Sequence, residues 1–137
     1  MLQFLQNNLM TVTLAITSGL MLFWSFFGNQ IRGIKEVDVV KAVNLINREN
    51  ALILDVREQN EYDNGHVGNS RLISLGELKK RIGELEKYRE RPVVVICRSG
   101  SRSASGAAFL MKSGFAKVYS LSGGIMAWQK ASLPVEK

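Results

Sequence analysis

The single cysteine of the chain opens the run Cys97-Arg98-Ser99-Gly100-Ser101-Arg102-Ser103, a set of residue types suited to holding a thiolate beside an anion. Gly100 and the small serines let the backbone curl until successive N–H groups converge, which makes an anion-binding concavity. Arg98 and Arg102 add positive charge. A thiol in such surroundings ionises below its free pKa of about 8.5 and acts as a nucleophile at neutral pH. The competing reading is an inert buried thiol at the end of a core strand, the commoner fate of a lone cysteine. The two arginines and the turn position favour reactivity.

The elements that must position this loop are legible on either side of it. Pro92-Val93-Val94-Val95-Ile96 reads as a buried parallel strand. Ser103–Lys112 has helical spacing and ends near Gly114, a C-capping glycine just past Ser113. The loop is therefore a strand-to-helix turn, where ligands collect in open α/β sheets and backbone N–H groups face the cysteine at the positive end of the helix. Further strands are predicted over Ala51–Val56, Arg71–Ser74 and Lys117–Leu121. Asp38 is placed to N-cap a helix carrying Val39, Val43 and Ile46 on one face. Leu75, Leu78, Ile82, Leu85 and Tyr88 predict an amphipathic helix, with Glu77 set to meet Arg81 one turn on and Gly83 weakening it slightly. Gly123–Trp128 reads as a turn into a last short helix. Strands alternating with helices predict an α/β domain with a parallel sheet flanked by helices. The 137 residues, 46% of them hydrophobic, suffice for one domain with a core.

Charge divides the chain unevenly. No Asp, Glu, Lys or Arg precedes Arg32, and Leu9–Phe27, as a helix about 28 Å long, approaches the hydrocarbon thickness of a bilayer. The sequence predicts an N-terminal tail over residues 1–8, a transmembrane helix over 9–27, a polar linker over 28–35 and the α/β domain over 36–137. A secretory signal peptide would want a basic start and a small-residue cleavage site, and neither is present. A buried core helix fits less well, because Phe23, Trp24, Phe26 and Phe27 cluster toward one end as interfacial aromatics do. Arg32, Lys35 and Lys41 after the helix predict a single-pass protein of the cell (inner) membrane with its C-terminal domain in the cytoplasm, where a lone thiol stays reduced. The net charge of +6 is spread through the body. It favours anionic lipid near the anchor and gives no argument for nucleic acid.

The segment Cys97–Ser103 resembles the active loop of the rhodanese, or sulfurtransferase, domain, whose form is Cys-Arg-x-Gly-x-Arg-Ser. Three further stretches are similar to family signatures in the same order: Asp55-Val56-Arg57-Glu58, then Glu61-Tyr62 with Gly65-His66-Val67, then Leu121–Trp128 with its Gly-Gly-x-x-x-Trp pattern. The resemblance covers roughly residues 36–135. It implies a rhodanese-like fold and a mechanism in which the Cys97 thiolate takes sulfane sulfur from a small donor such as thiosulfate or a persulfide. Cys97 would hold that sulfur as a persulfide cradled by the amides of Arg98 to Ser103, then pass it to a thiophilic acceptor, a membrane protein among the candidates. Arg98 and Arg102 would meet the anionic donor. No metal or organic cofactor is implied.

Asp55 and Arg57 receive a supporting assignment. Asp55 sits at the carboxyl end of its strand, where it could tune the loop, although pairing with Arg57 or with a loop arginine is the simpler reading. His66 fits a backbone hydrogen bond in a turn better than a general base, and Trp128 fits a packing role. The sequence departs from the family at Gly68-Asn69-Ser70, where Pro-Gly-Ala is usual. Two rival functions stand beside sulfur transfer. A membrane-tethered binding module would use the domain surface. A phosphatase or arsenate reductase of the related cell-cycle phosphatase type would place five residues between Cys and Arg, where Cys97 and Arg102 have four.

Overall fold

The computed structural model describes residues 1–31 and 34–137, with the side chains of 26–31 outside the description. The chain forms two compact units, Met1–Gly33 and Ile34–Lys137.

The first unit consists of α1 (Leu2–Asn7) and α2 (Leu9–Ile31). Thr13 and Thr17 return their hydroxyls to the Leu9 and Thr13 carbonyls, so their polarity is satisfied within the helix. The expected transmembrane span is corrected here: among the described residues no helix is long and apolar enough to cross a membrane. Within α2, Thr11, Thr13, Thr17 and Ser18 dilute the apolar content. Phe26, Phe27 and Arg32, which entered the expectations of interfacial aromatics and orientation, lie outside the described side chains. The expected linker is also revised, since Gly28–Ile31 continue α2 and Lys35 opens a strand.

In the second unit five strands form one parallel sheet in the order β1-β5-β4-β2-β3. They are β1 (Lys35–Val37), β2 (Leu52–Asp55), β3 (Arg71–Leu72), β4 (Val93–Ile96) and β5 (Val118–Leu121). The edge strand β1 escaped the sequence reading because Lys35 and Glu36 are exposed and it has three residues, too few for a period-2 signal. Side chains alternate across the central strand: Val93 and Val95 join Cys97 in a core with Leu54, Leu78 and Leu110, while Val94 and Ile96 join Leu45, Leu121 and Trp128 on the other face. The helices α3 (Val39–Glu49) and α7 (Gly124–Lys130) close the second face; α6 (Ser101–Lys112) and α5 (Leu78–Arg81) close the first. Asp38 caps α3 by accepting from the Lys41 amide at 2.8 Å, as its position predicts.

The amphipathic helix expected from Leu75 to Tyr88 is instead the single turn α5 followed by a 3-10 segment, Ile82–Tyr88. Ile82, Leu85 and Tyr88 recur every third residue, which matches the 3-10 period and not 3.6. Gly83 adds backbone freedom that weakens an α-helix. Glu77 does meet Arg81, at 3.1 Å, and Glu84 joins the same guanidinium at 2.7 Å.

Candidate active site

The β4 strand delivers Cys97 to its carboxyl end, and the chain turns at Gly100, which has φ +117° and stands as the N-cap of α6. Only a residue without a side chain adopts that φ at little cost. The turn folds back so that the Gly100 amide donates to Cys97 Sγ at 3.0 Å, and the thiol donates to Ser103 Oγ at 3.5 Å. Cys97 is 1% exposed. Burial alone would raise the thiol pKa. Hydrogen bonding from the Ser103 hydroxyl and from the Ser103, Gly100 and Ser99 amides outweighs it and holds the thiol below its ordinary value.

Two loop carbonyls, those of Cys97 and Arg98, are held by α7, which fixes the peptides that carry the Arg98 and Ser99 amides. The Ile125 amide donates to Cys97 O at 2.8 Å and the Met126 amide to Arg98 O at 3.3 Å. These donors are in the first turn of α7, so the Gly-Gly turn at its start acts on the peptide orientation of the cysteine loop. A peptide whose oxygen is fixed on one side presents its N–H on the other.

The sequence-predicted residues separate into four groups. Cys97, Gly100 and Ser103 converge on the sulfur. Arg98, Ser99 and Ser101 are exposed, and Arg98 lines a cleft of about 420 Å³ with Arg57, Glu61, Asn64, Ile125 and Met126. Arg102 turns away to Glu61 on α4 (Gln59–Asp63), donating to both carboxylate oxygens at 2.7 and 2.9 Å. Its fork is therefore already engaged by a carboxylate. Asp55 and Arg57 form a buried pair, with the guanidinium donating to the carboxylate at 2.8, 3.0 and 3.1 Å and to Gly65 O at 2.8 Å. Of the two partners open to Asp55, this is the local one, and it ties β2 to the Gly65 turn. His66 Nδ1 lies 2.9 Å from Tyr62 O and its ring stacks on Tyr62. Trp128 is buried and donates to Pro134 O.

Sequence reasoning gave Glu61 no role of its own. It occupies the third position of a capping box with Glu58, a pattern that was visible as Glu58-x-x-Glu61. Bonds from Arg102, first, and from the Glu58 amide bring its carboxyl down from 4.5 to about 2 despite partial burial. A carboxyl lowered on folding stabilises fully above its unfolded pKa and loses that contribution as pH falls through the folded value. The Glu61–Arg102 pair is thus complete above pH about 4.5 and lost toward pH about 2. Thermal melts across this window are expected to converge for the wild type and Glu61→Gln at the acid end and to separate above it. Parallel curves would remove the pair from the stability of the loop.

A parallel α/β sheet that presents a cysteine in a tight loop at the end of its central strand, with a loop amide on its sulfur, defines an α/β cysteine-loop protein. Residues 38–131 match the family model described as the Rhodanese-like domain. The chain is 35% identical over 103 residues to the uncharacterized protein YibN of Escherichia coli strain K12, covering 74% of this chain and 72% of that one. It is 31% identical over 97 residues to the thiosulfate sulfurtransferase GlpE of Pseudoalteromonas translucida, covering 71% and 90%. Among solved structures, a rhodanese-related protein from Thermoplasma volcanium superposes with a TM-score of 0.67 at 31% identity, covering 74% of this chain and 97% of that one. The chain belongs to the rhodanese-like domain family, and its α/β sheet is the rhodanese fold.

Proposed function

We propose that the protein is a sulfurtransferase that carries sulfane sulfur on Cys97. The observation that carries the reading is the cysteine sulfur held at 3.0 Å from the Gly100 amide, inside a loop whose Cys97 and Arg98 carbonyls are bonded to α7. Thiosulfate is the proposed donor, supported by the likeness to GlpE. In the first half-reaction the Cys97 thiolate attacks the outer sulfur of thiosulfate, an S–S bond forms to Cys97, and sulfite leaves with the electron pair of the broken S–S bond. In the second a thiophilic acceptor attacks the outer sulfur of the persulfide and Cys97 leaves as the thiolate. The terminal persulfide sulfur is anionic, and amides fixed around it stabilise that charge without reorganising. Arg98, at the cleft, is the cation placed to meet the dianionic donor; Arg102, Ser99, Ser101 and Ser103 shape and hold the loop.

Mass spectrometry of the full chain after thiosulfate treatment tests the proposal. One added sulfur atom on the Cys97 peptide, removed by cyanide, is expected. An unmodified peptide would overturn the assignment.

The same proposal puts the domain on the cytoplasmic face of the cell membrane. The attachment is to the surface and not by a spanning helix, and its support is the absence of charge before Arg32, the exposure of Leu9, Met10, Leu14, Leu20 and Trp24 along α2, and Lys35 and Lys41 downstream to meet anionic headgroups. The protein is expected in the membrane fraction, with a cytoplasm-dependent reporter active at Lys137. Full release by salt washing, or an inactive reporter, overturns the placement.

A further inference from the structure

Ser120 is assigned neither by the resemblance nor by the loop pattern. It is a 1% exposed hydroxyl on β5, between Tyr119 and Leu121 of its own strand. Its one side-chain hydrogen bond among the described residues is to Ser103 Oγ, at 2.7 Å. Ser103, 0% exposed, is the residue whose hydroxyl meets Cys97 Sγ. A chain of three side chains therefore runs from the interior of the sheet to the nucleophile.

Counting protons along that chain gives Ser120 a direction. Ser103 has one hydroxyl proton and three neighbours, Cys97 Sγ at 3.5 Å, Gly100 O at 2.9 Å and Ser120 Oγ at 2.7 Å. With Cys97 as a thiol, the S–H donates to Ser103, Ser103 donates to Gly100 O, and Ser120 donates to Ser103. Every group is then matched. When Cys97 is a thiolate it can only accept, so the Ser103 proton must rotate onto it. Gly100 O keeps the Ala104 amide at 3.2 Å, and so is not orphaned by the rotation. Ser103 can no longer donate to Ser120, which leaves Ser120 as the donor in both states. A hydroxyl that accepts a hydrogen bond becomes a stronger donor, and in a buried site that reinforcement is not screened by water.

We propose that Ser120 is a positioning residue for the nucleophile: from β5 it donates to Ser103 Oγ, holds it in place, and strengthens the bond that Ser103 gives the Cys97 thiolate. The proposal rests on the reading of Cys97 as the nucleophile but is separable from sulfur transfer, because it concerns the ionisation of the thiol. The charged groups around the cysteine are left intact by changes at Ser120: Arg98 in the loop, Arg102 with Glu61 across α6 and α4, and the Asp55–Arg57 pair at the end of β2. The strand β5 and the first turn of α7 carry no charged residue.

The test is the pH dependence of Cys97 alkylation by iodoacetamide in the full chain, which reports thiolate directly and needs no sulfur donor. Ser120→Ala is expected to move the alkylation midpoint upward by roughly half a unit to one unit, with about three- to tenfold less thiolate below the midpoint. Ser103→Ala should move it in the same direction, and adding Ser120→Ala to Ser103→Ala should move it no further, since the effect passes through Ser103. Ser120→Thr keeps a hydroxyl on a strand that favours β-branched residues and should restore the native profile, which guards against a folding defect in the alanine variant. A Ser120→Ala profile superimposed on the wild type overturns the proposal. So does an equal shift in the presence and absence of the Ser103 hydroxyl. A shifted profile in a protein that takes no sulfur from thiosulfate would leave the positioning role standing and remove the sulfurtransferase reading.

Discussion

Cys97→Ser is expected to transfer no sulfur from thiosulfate to cyanide, a loss of at least about a thousandfold in kcat/KM. The change is almost isosteric, so the fold should survive: the Gly100 amide and the Ser103 hydroxyl find an oxygen where the sulfur stood. What disappears is chemistry. A serine hydroxyl is not ionised at neutral pH, and the loop donors that lower a thiol already near titration cannot bring an alcohol into range. Nor can oxygen store the transferred atom as a persulfide. Loss of thiocyanate formation should therefore come with an unchanged melting temperature and no added sulfur mass. Thiocyanate at the wild-type rate would transfer the chemistry to another group, and the chain has no second cysteine.

The core strands and the cysteine turn were legible because each rests on a local signal. A run such as Val93–Ile96 is apolar at every position only when both faces of the sheet are covered, and the structure covers both with helices. Gly114 announced the end of α6 and Gly100 the curl of the loop, and both take positive φ. What remained hidden depends on distance in sequence. Arg102 read as a free cation because Glu61, which takes both of its donor groups, lies 41 residues away. Ser120 read as one polar letter in a strand, and nothing local told that its hydroxyl would meet Ser103 from another element. The edge strand β1 needed the partner β5 to exist at all. Length set the remaining error, since the stretch Leu75–Tyr88 satisfies spacings of three and four together and the 3-10 solution uses the threes.

Gly124→Ala should be the most damaging change outside the cysteine loop, with about 3 kcal/mol or more lost in stability and on the order of a hundredfold lost in kcat. Gly124 has φ +57°, and a Cβ there would fall onto the Cys97 carbonyl oxygen and within 2.6 Å of the Arg98 carbonyl oxygen. Those are backbone atoms, so no side chain can swing aside. Either α7 withdraws or the loop peptides turn, and both responses break the bonds from Ile125 and Met126 that hold the carbonyls outward. Released carbonyls rotate the neighbouring amides away from Cys97 Sγ, which weakens the thiolate and any anionic sulfur attached to it. A strain effect confined to stability would lower the melting temperature and leave kcat and the alkylation midpoint of the folded fraction unchanged; coupled loss of all three is the expected result. Gly83→Ala is the matched control. A Cβ at Gly83 meets nothing within 4 Å, so that substitution should leave sulfur transfer at the wild-type rate and raise the melting temperature slightly by reducing the freedom of the unfolded chain. If Gly124→Ala behaves like Gly83→Ala, the first turn of α7 does not set the orientation of the loop amides.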